Sequence, residues 1–326
     1  MVFQKWSNVG WQVSSVEASG ESGKISDFLN SHSYKFVAHS SDANALIMGT
    51  NQSDQITAQL PSDSTASGVF LGFGGNDTID LHKLNGPTLV EAGKGADTVI
   101  GGRGSDQIRG MSGNDKLYGG VGIDNVQGGK GADRIYGQRG NDEYLNGGLG
   151  NDTVRGGAGR DHLIDNNGWN FLFGDSGNDR LSGRGVLDGG RGDDELTGRG
   201  RLVGGKGDDT LSGSGIELRD VFDFRIDGNP FANSNFTFGN DRVDRYDFDF
   251  DVPGAVTPDE LWFNSQVDVT FRYNKKAETV VLTAKVELIN NGTKHLTTAG
   301  TVTFEMIPEG VSAMVIAGLQ DDLVFL

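Results

Sequence analysis

The stretch that decides the fold runs from Gly101 to Tyr136 and reads GGRGSDQIR, GMSGNDKLY, GGVGIDNVQ, GGKGADRIY, successive units of nine residues. Each unit has Gly-rich positions one to four, Asp at position six and an apolar residue at position eight. Outward from this core the period persists. GQRGNDEYLN (137–146) carries one extra residue, and GGLGNDTVR (147–155) and GGAGRDHLI (156–164) are regular. DNNGWNFLF (165–173) is degenerate, with Asn170 in the Asp position, and GDSGNDRLS (174–182) is regular again. Earlier copies begin at Gly49, Gly72 and Ala92, and later ones, GGRGDDELT and GGKGDDTLS, at Gly189 and Gly204. Fixed-period self-similarity is read before any other signal, because it marks a stacked architecture.

The chemistry of one unit predicts its shape. Six Gly-rich residues take turn and left-handed conformations without a Cβ penalty. Three further residues make a short strand whose apolar member points inward. Val99, Ile108, Leu117, Val126, Ile135, Val154, Leu163 and Leu181 are then expected to stack into a narrow core. Asp at position six supplies a hard carboxylate oxygen, and the turns expose backbone carbonyls. Calcium takes six to eight such oxygens at about 2.3–2.6 Å.

This pattern resembles the RTX family, the haemolysin-type calcium-binding nonapeptide G-G-x-G-x-D-x-U-x, over roughly half the chain. The resemblance implies an all-β protein: a parallel β-roll stacked on calcium, with each ion between turns on one side, bridging a unit and the next but one. The implied ligands are Asp97, Asp106, Asp115, Asp124, Asp133, Asp142, Asp152, Asp161 and Asp179, with Asp194 and Asp209 in the later copies. Asp77 is a weaker candidate in an isolated copy, and Asp54 another in an imperfect one. Loop glycines implied at the same sites are Gly101, Gly104, Gly119, Gly122, Gly128, Gly131, Gly147, Gly150, Gly156, Gly159, Gly174, Gly177, Gly189 and Gly204.

Because units alternate sides, the register can be followed by hand. One side holds Asp106, Asp124, Asp142, Asp161, Asp179, Asp194 and Asp209; the other holds Asp97, Asp115, Asp133, Asp152 and then Asn170. Beyond Asn170 the second side shrinks to six-residue units, GRGVLD (183–188) and GRGRLV (198–203), which lack the carboxylate. Ions are therefore expected to end near Asp152 on that side, while Leu187 and Leu202 continue the apolar stack.

Composition fits this reading. The chain has 326 residues, 52 of them Gly, no Cys and a formal net charge of -17. Without Cys there are no disulfides, zinc thiolates or Cys nucleophiles. The acidic balance argues against nucleic acid as a partner, and bound cations would relieve it. Met1 to Ser15 lack the apolar core of a signal peptide, and no apolar run reaches the ~20 residues of a membrane helix.

Three zones are expected: an N-terminal cap over 1–45 with Trp6, Trp11, Phe28, Tyr34 and Phe36 as candidate core, the roll over 46–218, and a C-terminal antiparallel β cap or domain over 219–326. Candidate strands in the last zone are 221–226, 243–250, 267–273, 279–289, 301–307 and 312–317. Gly239–Val243 echoes a half-repeat. The ending Asp321-Asp322-Leu323-Val324-Phe325-Leu326 is similar to the terminus of type I secretion substrates in this family, which implies export by that machinery.

Other motifs are weak. Gly174-Asp175-Ser176-Gly177 resembles a serine-protease nucleophile segment but lies in register with the repeats. Asp247, Asp249 and Asp251 begin an EF-hand spacing, yet Val252 and Pro258 replace its Gly and Glu, and the alternating Tyr246, Phe248 and Phe250 predict a strand. The five His residues share no metal spacing. Residues 219–326 hold one His and no recognisable acid, base and nucleophile set. The sequence therefore predicts a secreted or cell-surface, non-enzymatic structural or adhesive module, with surface polysaccharide or self-association as possible partners. The alternative is a secreted hydrolase or polysaccharide-modifying enzyme with the repeats as folding appendage.

Overall fold

The structure, a computed structural model, describes residues 45–57 and 67–213 and, outside them, nine strands: Ser15–Ala18, Tyr34–Val37, Val221–Asp223, Gly239–Asp244, Glu260–Phe263, Val267–Asn274, Thr279–Asn290, Thr293–Glu305 and Leu323–Phe325. Two compact units are distinguished, Met1–Asn170 and Phe171–Leu326, and the division falls inside the zone expected as one roll.

In the first unit, the strands form two parallel stacks that alternate along the chain. One contains Ala45–Met48, Gly68–Leu71, Thr88–Lys94, Gln107–Ser112, Asn125–Lys130 and Tyr144–Leu149. The other contains Gln55–Thr57, Thr78–Asp80, Thr98–Ile100, Lys116–Val121, Arg134–Arg139 and Thr153–Ala158. This is the expected β-roll. The inward residues Val99, Ile108, Leu117, Val126, Ile135, Val154 and Leu163 are all 0% exposed. Burying each such side chain is worth about 1.5–3 kcal/mol. Ile56 and Ile79, from the earlier copies, join the same core.

The ten-residue unit keeps register by a bulge. Glu143 N donates to Asp124 O, yet it is Tyr144 that pairs with Asn125, so two residues face one. Leu145 then falls opposite Val126 and is fully buried. Ser15–Ala18 pairs antiparallel with Tyr34–Val37, which contains Tyr34 and Phe36; Trp6, Trp11 and Phe28 lie outside the described residues.

In the second unit, the six-residue segments are part of the ladder. Arg180–Arg191 pairs with Glu195–Lys206 in continuous parallel register, with Gly183 opposite Gly198 and Leu187 opposite Leu202. Leu187 and Leu202 are 0% exposed, so the apolar stack continues.

Parallel pairing also runs past the last repeat. Leu211 faces Val243, and Val243 faces Phe304. Leu202 faces Phe222, Phe222 faces Leu261, and Leu261 faces Leu323. The half-repeat echo at Gly239–Val243 is thus a strand in register with the roll. Antiparallel pairing, expected throughout this zone, is found in Val267–Asn274, Thr279–Asn290 and Thr293–Glu305. Thr293–Glu305 joins both patterns: it is parallel to Gly239–Asp244 and antiparallel to Thr279–Asn290. That switch occupies a strand edge that would otherwise stay unpaired. The segments 245–251 and 312–317, with the acidic triplet and one expected strand, lie outside the described residues.

Candidate metal centre

Position six of each unit sits where strand follows turn, and there the Asp side chain folds back under its own loop. One carboxylate oxygen is used by the protein. Asp97 N donates to Asp115 Oδ1 (2.8 Å), Asp115 N to Asp133 Oδ1 (2.8 Å), and Asp133 N to Asp152 Oδ1 (2.7 Å). The same ladder reaches backward, from Asp54 N to Asp77 Oδ1 and from Asp77 N to Asp97 Oδ1, so the imperfect copies belong to this row. A second row links Asp106, Asp124, Asp142 and Asp161. In the second unit Asp179 N bonds Asp194 Oδ1, and Asp194 N bonds Asp209 Oδ1. There the spacing is fifteen residues rather than eighteen, because the intervening unit has six residues.

The other oxygen is the anomaly. Oδ2 of Asp77, Asp97, Asp115, Asp124, Asp133, Asp142 and Asp194 is buried with no hydrogen-bond partner. Leaving a charged oxygen buried and unpaired is costly. What surrounds it is read from the first-position glycines. A Cβ on Gly110, Gly119 or Gly128 would strike the Oδ2 of its own unit's Asp and the carbonyl of the corresponding Gly one full turn on. Gly101, Gly147, Gly156, Gly174, Gly189 and Gly204 likewise lie against the carboxyl of Asp106, Asp152, Asp161, Asp179, Asp194 and Asp209. Several oxygens thus converge where a side chain would have to go.

Asn170 shows which atoms those are. It takes the Asp position, and its Oδ1 accepts from Asp152 N (2.9 Å) as an Asp would. Its Nδ2 stands where Oδ2 stands elsewhere, and donates to Asp165 O (3.2 Å) and Asn167 O (3.4 Å), the carbonyls of positions one and three. In a regular unit the same place presents three oxygens to one another. Only a donor or a cation reconciles them, and the set is oxygen alone. Among the described residues no three His, Cys, Asp or Glu side chains converge, so these are not thiolate or imidazole centres. Carbonyls plus carboxylates are the hard ligands calcium takes.

Electrostatics point the same way. Burial, the largest cause in each case, pushes Asp77, Asp115, Asp124 and Asp142 up to about 7, Asp133 and Asp194 up to about 6, and Asp209 up to about 8. The N–H donated from the preceding turn opposes this shift, and nearby carboxylates add to it. A divalent cation reverses that balance by holding the carboxylates ionised.

Two row members differ from the rest. Asp54 Oδ2 accepts from both Thr50 N and Thr50 Oγ1. Asp106 Oδ2 accepts from Gly102 N (2.7 Å), and its Oδ1 from Thr88 N and Oγ1. Both carboxylates are therefore satisfied by the protein, although GGRGSDQIR matches the repeat at every position. In the turn before it, Thr88 stands where a regular unit has an Asp, and its N–H and hydroxyl both go to Asp106 Oδ1.

The fourth-position glycines serve the stack itself. Gly131 N donates to Leu149 O (2.8 Å), and with φ of 138° its Cβ would collide with Gly113 O. Gly122, Gly150 and Gly159 lie equally close to the turn beneath, and Gly104 packs on Gly86. Gly177 has φ of 134° and its N–H bonds Arg191 O. Gly174–Gly177 is therefore a repeat turn, with the Gly174 position against Asp179 Oδ2 and Gly189 O. One buried acid escaped the sequence reading: Asp165, 1% exposed, at the first position of the degenerate unit. Its signal was an Asp where the repeat demands Gly.

The model of the RTX calcium-binding nonapeptide repeat family matches four segments, residues 91–126, 118–145, 146–181 and 197–215. No curated protein is found to match the chain. Repeats of this family bind several calcium ions per repeat region, and the buried second oxygens of Asp77, Asp97, Asp115, Asp124, Asp133, Asp142 and Asp194 fit that ligand. Residues 91–181 and 197–215 are therefore RTX calcium-binding nonapeptide repeats.

Proposed function

We propose that the chain is a secreted module that folds on extracellular calcium and acts as a structural or adhesive element of a cell surface or matrix. The observation that carries the reading is the buried second oxygen, without a hydrogen-bond partner, of Asp77, Asp97, Asp115, Asp124, Asp133, Asp142 and Asp194 in the Asp rows. The ligands are assigned as Asp77, Asp97, Asp115, Asp124, Asp133, Asp142, Asp152, Asp161, Asp179, Asp194 and Asp209, with the carbonyls of loop positions one and three. A fold conditional on calcium suits a chain that crosses a membrane unfolded and meets millimolar calcium outside. Export by a type I machinery directed by residues 321–326 belongs to this reading.

A non-enzymatic role is supported by the lack of a recognisable acid, base and nucleophile set in the sequence of residues 219–326. Contact with a surface is supported in the first unit by exposed apolar side chains, among them Val121, Ile123, Leu149 and Trp169. The test compares the calcium-loaded chain in two assays. Binding to whole cells or to surface polysaccharide, lost on chelation, is expected. Turnover in a hydrolase or polysaccharide-lyase screen, without such binding, would instead make the repeats the appendage of an enzyme.

A further inference from the structure

The degenerate unit 165–173 departs from the repeat at two linked positions. Position six has lost its carboxylate to Asn170, and position one has gained one at Asp165 in place of Gly. The two changes meet in space. Asp165 and Asp152 are 1% and 0% exposed, and a Cβ added to Gly147 would strike both Asp165 Oδ2 and the Asp152 side chain. At Gly110, Gly119 and Gly128 that same point is shared by the local Asp Oδ2 and a main-chain carbonyl from the next turn. At Gly147 a side-chain carboxylate from the next turn has entered instead. Asp165 Oδ1 is anchored by Asn167 N (3.2 Å), and Gly148 N–H also reaches the Asp165 carboxyl. The second oxygens of Asp165 and Asp152 are buried against each other, two carboxyls that must share either a proton or a cation.

Counting charge explains the pairing. Between regular turns, two row members each bring one carboxylate, as with Asp115 and Asp133. Between the turns of Asp152 and Asn170 the rows alone would bring only one. We propose that Asp165 supplies, from the first position of its loop, the carboxylate Asn170 lacks at the sixth, so that a divalent cation is held between Asp152 and Asp165 as the last ion on this side of the first unit. Asn170 closes the row. Its amide already bonds the two carbonyls that wait for an ion in other loops, so no site follows it. The inference rests on the reading that the rows take calcium, and it assigns one ion to a residue the repeat pattern passes over.

Native mass spectrometry of the calcium-saturated full chain counts ions one by one. Asp165→Gly, which restores the residue usual at that position, is expected to carry one ion fewer than the wild type. Asp165→Gly combined with Asn170→Asp rebuilds a regular unit and is expected to regain it. Asp165→Asn, isosteric, gives a second single variant and should also lose one ion. Equal counts in the wild type and both single variants would overturn the assignment while leaving calcium binding by the rows intact. A double variant that stays one ion short would overturn the exchange between positions one and six. A wild-type chain that carries no calcium would sink the parent reading, a result distinct from either.

Discussion

A carboxylate oxygen buried without a donor is tolerable only when something else meets it, and Asp77, Asp97, Asp115, Asp124, Asp133, Asp142 and Asp194 each pose that problem separately. Asn170 shows what a neutral amide does there: it bonds the loop carbonyls and needs no ion. Asp124→Asn is therefore expected to lose calcium at its turn and to make the calcium-free roll easier to form. Removing an unsatisfied buried group is worth about 1–3 kcal/mol. Ion counting, together with urea titration in chelator, reads both effects. A variant that loses calcium and is also less stable without it would contradict the argument. Protons act on the same oxygens. The folded-state values near 6–8 lie above the ~3.9 of an unfolded Asp, so the folded state binds more protons. Stability without calcium is then fully present below about pH 4 and is lost as pH rises through about 6–8. In chelator, circular dichroism should show strand signal gained as pH falls from 8 toward 4. With calcium present, the same protonation competes with the ions, and affinity should fall with acid. A chelated chain whose strand signal is indifferent to pH would mean that the carboxylates are not buried as described.

Elements are held by a different device, the inward apolar column, which is independent of the ion sites. Leu187 and Leu202 belong to six-residue turns without row carboxylates, yet both are fully buried and pair in register. Leu202→Ala is expected to cost about 2–5 kcal/mol, as for other buried Leu truncations, and to leave the number of bound calcium ions unchanged in the calcium-saturated chain. Calcium-saturated urea unfolding and ion counting separate the two effects; a lost ion would show that the six-residue turns take part in coordination. These elements also show how far the sequence could be read. A nine-residue period with one Asp and one apolar residue fixes the strands, the inward column and the two rows, because each follows from stacking identical units. The hydrogen bond from Gly102 N to Asp106 Oδ2 could not be anticipated, since the unit of Asp106 is regular at every position. Asp165 was visible only as a break in pattern. The parallel strands after Gly213 were hidden because they repeat the pairing of the roll without its Gly/Asp loops, so alternation alone suggested an antiparallel zone.

At the scale of the molecule, a net charge of -17 and a Gly-rich chain both oppose compaction. The narrow apolar column gives little to set against them, and the buried carboxylates add to the deficit at neutral pH. Calcium binding only the folded state shifts the balance by mass action. Each row Asp touches two turns, since its Oδ1 receives the preceding turn's N–H while its Oδ2 faces its own loop. An ion bound at one level therefore orders the loop that the next ion needs, and binding should be cooperative along a row. The chain is expected to be largely without strand signal in chelator at pH 7.5 and to gain it steeply near 10⁻⁴–10⁻³ M calcium, with a Hill coefficient well above one. Magnesium should fail at equal concentration, because it demands near-octahedral geometry at about 2.0–2.1 Å and gives up its water reluctantly. Circular dichroism across calcium and magnesium titrations tests the whole chain at once. Strand signal that persists in chelator at neutral pH, or that magnesium restores as well as calcium, would show that the column alone holds the roll and that the rows are not its staple.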